Sequence, residues 1–96
     1  MELKTIDDFK NILIKENILN RYGLDKIGVY GSFARGEKFN DIDLYIDING
    51  YNMSIARQLR DELAEILQIR VDLMLKDHAE PIIFYNAKKD MIYVSQ

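Results

Sequence analysis

Hydrophobic and polar residues alternate from Asp41 to Asn49, so that Asp41, Asp43, Tyr45, Asp47 and Asn49 share one side and Ile42, Leu44, Ile46 and Ile48 the other. Successive strand side chains point to opposite faces, and the pattern predicts a strand with one core face and one acidic face. A second alternating run over 69–75 places Val71, Leu73 and Leu75 inward and Arg70, Asp72, Met74 and Lys76 on the other side. The apolar run Ile27 to Tyr30 predicts a further strand, and Met91 to Val94 a short closing one. Helical spacing appears twice. Thr5 and Asp8 resemble a helix-start cap, and Ile6, Phe9, Leu13 and Ile14 form a stripe running to about Asn20, with Gly23 as a stop. Ile55, Ala56, Leu59, Leu63 and Ile66 form a second stripe, with Arg57, Arg60, Asp61, Glu62 and Glu65 outside. Pro81 suits the first turn of a third helix after the Asp77 to Glu80 turn, continued by Ile82, Ile83, Tyr85 and Ala87 towards Lys88 and Lys89. The central order of strand, short turn, strand, helix, strand predicts an α/β fold with a small mixed β-sheet and helices packed on one face.

Two features in this frame carry chemistry. Asp41 and Asp43, two residues apart on a strand, point the same way and lie close enough to share a divalent cation. Upstream, the strand ending at Tyr30 breaks at Gly31-Ser32, a turn able to offer backbone N–H groups and a hydroxyl to a phosphate. Asp72 is a third carboxylate for the same site if the two alternating strands are adjacent. Each part has a plainer reading: an acidic face keeps a strand soluble, and Asp72 pairs with Arg70. Arg35 either reaches phosphate from the GSFARG segment, since a guanidinium matches phosphate oxygens bidentately, or pairs with Glu37 or Asp41 and braces the loop. Lys38 is a weaker candidate of the same type, and Arg70 and Lys76 either offset the acidic charge or are solvated.

The segment GSFARGEKFNDIDLYID resembles the signature of the polymerase-beta-type nucleotidyltransferases, and its wording and the chain's size are most similar to the minimal nucleotidyltransferase (MNT) antitoxins of HEPN/MNT toxin–antitoxin systems. The pattern of Gly-Ser, a spacer, Asp-x-Asp and a later acidic residue maps onto Gly31, Ser32, Asp41, Asp43 and Asp72. The resemblance implies a polymerase-beta-like fold in which Gly31 and Ser32 hold a triphosphate, with Arg35 as a further nucleotide-binding candidate. It implies that Asp41, Asp43 and Asp72 hold two Mg2+ ions, that Asp72 activates the attacking hydroxyl, and that AMP passes from ATP to a tyrosine of a HEPN-family toxin, silencing it. Here the spacer, Phe33 to Asn40, has eight residues and is shorter than the family's usual one. The difference either shifts Ser32 relative to Asp41 or is absorbed in an exposed bulge.

Length and composition narrow the remaining choices. Ninety-six residues suit a single minimal nucleotidyltransferase domain over 1–96, and 48% apolar content is ample for a core. The absence of cysteine excludes disulfides, thiolate metal sites and cysteine nucleophiles, and His78 alone cannot make a multi-histidine zinc site. A net charge of -3 without a basic run argues against direct nucleic-acid binding. Charges throughout Met1 to Lys15 and the absence of a long apolar run predict a cytoplasmic protein without membrane contact. Six tyrosines, with Phe33, Phe39 and Phe84, either close a small core or mark an interface. Larger members of the resembled superfamily carry a second domain for the acceptor, so the resemblance points to a separate partner protein; self-association is also compatible. Three functions are consistent with these features: an Mg-dependent protein adenylyltransferase, an antitoxin that has lost transfer and neutralises its toxin by binding alone, and a small-molecule nucleotidyltransferase subunit.

Overall fold

The structure is a computed structural model that describes residues 3–47 and 53–95. The elements run α1 (Ile6–Lys15), α2 (Ile18–Tyr22), β1 (Ile27–Tyr30), α3 (Gly31–Ala34), β2 (Asp41–Ile46), α4 (Met53–Leu67), β3 (Arg70–Leu75), α5 (Pro81–Lys88) and β4 (Ile92–Val94). The four strands form one mixed sheet in the order β3-β2-β1-β4. β1 pairs antiparallel with β2 and with β4, while β2 and β3 are parallel. Parallel neighbours need a crossover, and α4 supplies it.

The alternation read from the sequence sorts the two faces. Ile42, Leu44 and Ile46 of β2 are fully buried, with Ile27 and Val29 of β1, Val71 of β3 and Val94 of β4 beside them. Phe9 and Leu13 of α1, Ile18 and Leu19 of α2, and Leu59 and Leu63 of α4 complete this core. Leu73 and Leu75 were expected inward with Val71; they pack on the core but stay half-buried because β3 is an edge of the sheet. Ile48 and Asn49, assigned to the two faces of the acidic strand, lie outside the described residues.

The first helical stripe is corrected in one respect. Instead of one helix to Asn20, α1 ends at Lys15, and Asn17 adopts a left-handed conformation (φ 54°) that starts α2 at a new angle. Asn tolerates that backbone region better than most residues. Within α1 the buried face is Phe9, Ile12 and Leu13, three and four residues apart, whereas Ile14, expected in the core, lies off that face and is 46% exposed. The expected start and stop hold, with a reciprocal Thr5–Asp8 capping box and Gly23 left-handed after α2. In α4 the core contacts come from Ala56, Leu59 and Leu63, while Ile55, expected in the same stripe, is 37% exposed. Arg21 and the Tyr22 hydroxyl both donate to Glu62, joining α2 to α4.

α5 lies apart from the core helices. Phe84 meets Tyr45 at a ring-centroid distance of 5.1 Å, so α5 borders the face of the sheet opposite the core. The chain then returns through Met91 to β4, across Gly28 of β1, where an added Cβ would sit 2.5 Å from the Met91 sulfur. Among the described residues no helix is long and apolar enough to cross a membrane.

The core and the cap give two contrasting expectations. Leu44→Ala removes a fully buried side chain from the centre of the sheet and is expected to cost about 2–5 kcal/mol. Thr5→Ala removes only the α1 cap and is expected to cost about 1 kcal/mol. Urea unfolding of both variants, with unchanged m-values, checks the order.

Candidate functional site

Backbone register brings the three aspartates together. On β2, Asp41 and Asp43 are half-buried and point away from the core, alternating with buried Ile42 and Leu44. In the parallel ladder Asp43 stands opposite Asp72, and in the antiparallel ladder it stands opposite Tyr30. Tyr30, Asp43 and Asp72 thus form a row across three strands, with Asp41 two residues along β2. One carboxylate oxygen from each of Asp41, Asp43 and Asp72 lies within 4.8 Å of the others.

The Gly-Ser segment meets this row at Asp43. β1 runs straight into α3, so Gly31 and Ser32, expected in a turn, open a single helical turn whose preceding residue gives no side-chain cap. The first N–H groups of a helix have no partner within it and remain available to a ligand. Gly31 has a φ of +79°, and a Cβ there would lie 2.5 Å from Asp43 Oδ2. Both the backbone conformation and the closeness of the carboxylate require glycine. Ser32 is half-buried in the same turn, and its carbonyl accepts from the Glu37 N–H at 3.0 Å. The spacer passes through the exposed turn Arg35 to Lys38, with Gly36 left-handed (φ 73°), and Gly31 lies against Asp43.

Arg35 turns away from the acidic row. Its guanidinium donates to Asp90 at 2.7 Å and pairs with Glu37 at 3.1 Å. The Glu37 pairing matches one of the two roles expected from sequence; the Asp90 pairing ties the turn after α3 to the segment between α5 and β4. Arg70 lies 3.4 Å from Asp72 but is 76% exposed, and Lys76 pairs with Asp47 at 3.2 Å. Such exposed pairs offset little charge.

Electrostatics follow from this arrangement. Burial first, and then repulsion from Asp41 and Asp72, hold the Asp43 carboxyl above the usual carboxylate range, and Arg35 and Arg70 offset this only in part. Tyr30 is pushed up to about 12 by burial, with Asp43 and Asp72 adding to the effect, so it stays a neutral hydroxyl at physiological pH. Three converging carboxylates with weakly placed counter-charges are an all-oxygen donor set, the chemistry that suits a hard divalent cation such as Mg2+. The residues present fit that group.

All six residues singled out from sequence lie in or beside this region: the three aspartates and Gly31 converge, Ser32 comes next in the turn, and Arg35 is engaged elsewhere. Tyr30 and Asp90 were missed. The first could have been found from β1 itself, where Ile27 and Val29 take the core side and leave Tyr30 on the acidic one. No local signal marks Asp90, which reaches Arg35 across 55 residues of chain.

Comparison with known proteins agrees with this fold. Residues 13–96 match the family described as polymerase beta, nucleotidyltransferase. Protein adenylyltransferase MntA of Thermococcus cleftensis is 29% identical, over 98% of this chain and 100% of that protein. A solved structure provisionally identified as a minimal nucleotidyltransferase has a TM-score of 0.75 and 25% identity, covering 96% of this chain and 95% of its own. The fold also matches a chain in the Shewanella oneidensis complex of a tri-AMPylated HEPN toxin with an MNT antitoxin, with a TM-score of 0.66, 22% identity, and coverage of 88% and 66%. This chain belongs to the polymerase-beta nucleotidyltransferases.

Proposed function

We propose that this chain is an antitoxin that transfers AMP from ATP to a tyrosine hydroxyl of a HEPN-type toxin. The observation that carries the reading is the meeting of Asp41, Asp43 and Asp72 beside Gly31, at the first turn of α3. The adenylyltransferase name of the Thermococcus cleftensis relative and the AMPylated toxin in the Shewanella oneidensis complex support the choice of AMP and of a protein acceptor.

Each residue of the site has a distinct task in this reaction. The backbone N–H groups of Gly31 and Ser32, with the Ser32 hydroxyl, hold the triphosphate. Asp41, Asp43 and Asp72 hold the divalent cations. When bound, two such ions neutralise phosphate charge and stabilise the attacking and leaving oxygens of an in-line displacement. Asp72 orients the acceptor tyrosine and takes its proton. The tyrosine oxygen bonds to the α-phosphorus, the bond from that phosphorus to the bridging oxygen breaks, and pyrophosphate leaves. Arg35 keeps the turn closed through Asp90 and Glu37.

The raised Asp43 carboxyl gives a sign for stability. Its pKa is higher folded than unfolded, so the metal-free fold loses stability as pH rises from the unfolded value through the folded one. Asp43→Asn removes the half-buried charge and is expected to raise the melting temperature of the metal-free protein at neutral pH. Added Mg2+ is expected to raise the melting temperature of the wild type and leave that of Asp43→Asn unchanged; thermal unfolding with and without the cation checks both.

The function itself is tested by intact-mass spectrometry of the protein that this chain captures from its native lysate, before and after Mg-ATP. AMP-sized increments on the partner are expected with the wild type and not with Asp43→Ala, which should still bind. A captured partner whose mass never changes would leave an antitoxin acting by binding alone.

A further inference from the structure

Three recesses lie along β3, α4, α5 and the end of β1. The smallest, about 190 Å³, has Asp72 in its lining with Arg57 and Arg60 of α4. The second, about 390 Å³, runs between Met53, Met74 and Ile83. The third, about 310 Å³, lies between the end of β1 and α5 and is lined by Tyr30, Gly31, Ile83, Asn86 and Ala87, with the Arg35–Asp90 pair at its side. Only this third recess includes Gly31. Asp43 Oδ2 lies 2.5 Å from the place of the missing Gly31 Cβ, so the recess opens directly beside the carboxylate cluster.

Its chemistry differs from that of the cluster. Ile83, Asn86 and Ala87 are spaced by three and four residues on α5 and so share one side of the helix, the side that lines the recess. Ile83 and Ala87 supply aliphatic surface and Tyr30 an aromatic ring. The one cation in the lining, Arg35, is already bonded to Asp90 and Glu37, which leaves little attraction for a second anionic group. Among the described residues, the Asn86 side-chain amide makes no bond within the chain. An amide offers one acceptor and two donors on a planar group. A mainly apolar recess with a single unengaged amide, joined to a phosphate and metal site by a bare glycine, has the character of a site for a flat heterocycle.

We infer that the recess between β1 and α5 is the nucleobase subsite, in which the Asn86 amide reads the base edge and Tyr30, Ile83 and Ala87 enclose its faces. This rests on the nucleotidyltransferase reading above. The base is adenine: an asparagine amide pairs bidentately with the adjacent amino donor and ring-nitrogen acceptor of adenine, whereas guanine presents two acceptors along the same edge. Bases stack on aromatic rings, and about 310 Å³ falls within the size range of small-molecule sites, roughly 300–1,000 Å³.

The test is calorimetric titration of the full chain with ATP, GTP and inorganic tripolyphosphate, each with Mg2+. The wild type is expected to bind ATP more tightly than either of the others. Asn86→Ala is expected to weaken ATP binding about tenfold, to bring ATP and GTP to similar affinity, and to leave tripolyphosphate binding unchanged. Ile83→Trp, at an exposed position on the rim, should fill the recess and exclude ATP while tripolyphosphate still binds. Unchanged melting temperatures show that both variants fold. Equal affinity of the wild type for ATP and tripolyphosphate, or an Asn86→Ala variant that binds ATP as the wild type does, overturns the subsite and leaves the nucleotidyltransferase reading standing. Failure of the wild type to bind either ATP or tripolyphosphate overturns both.

Discussion

A slip of one residue between β2 and β3 would dismantle the core and the site together. In the observed register Asp43 faces Asp72 and Leu44 faces Leu73. Because side chains alternate, moving β3 by one position would turn Asp72 towards Ile42 and Leu44 and expose Val71. Burying a carboxylate without a partner costs several kcal/mol, and exposing a core valine adds to it. Packing on the apolar face therefore selects the register, and the acidic cluster on the other face is its consequence. α4 makes this possible, since it carries the chain from the end of β2 back to the start of β3 while burying Ala56, Leu59 and Leu63 on the sheet.

Two kinds of carboxylate in this small chain show what the cluster forgoes. Glu62 accepts from Arg21 and from the Tyr22 hydroxyl, and these bonds hold its carboxyl below the usual range. It is a structural group whose charge is met within the fold. Asp43 is displaced in the opposite direction, by burial and by two neighbours of like sign. The nearest guanidinium from the GSFARG segment is turned to Asp90 and Glu37. A carboxylate that the fold leaves under-compensated, beside two more carboxylates, is poised for a cation from outside the chain.

Much of this was legible in the sequence, for a physical reason in each case. The strands β2 and β3 show a period of two because one face is buried and the other is not, and that period also assigned Asp41, Asp43 and Asp72 to one side. The capping box of α1 and the proline at the start of α5 are local chemistry and were equally readable. The break at Asn17 was not, because a left-handed residue inside an apolar stripe leaves the helical spacing nearly intact while rotating the residues beyond it. The role of Arg35 was only half readable: Glu37 is two residues away, but Asp90 comes near only when α5 and β4 fold back onto β1. Long-range pairs of single residues leave no periodic trace.

That return of the C-terminal segment gives the open side of the sheet its walls. The core helices α1, α2 and α4 cover one face, while α5 touches the other through Phe84 on Tyr45 and leaves Ile82, Ile83 and Tyr85 exposed. Ile83 stands between two recesses, one reaching Gly31 and the other Met74 on β3. The acidic row spans the same strands, from Tyr30 through Asp43 to Asp72. A transfer reaction needs room for a donor and for an acceptor on either side of one reacting phosphorus. Here a single eight-residue helix laid beside the acidic face borders both recesses.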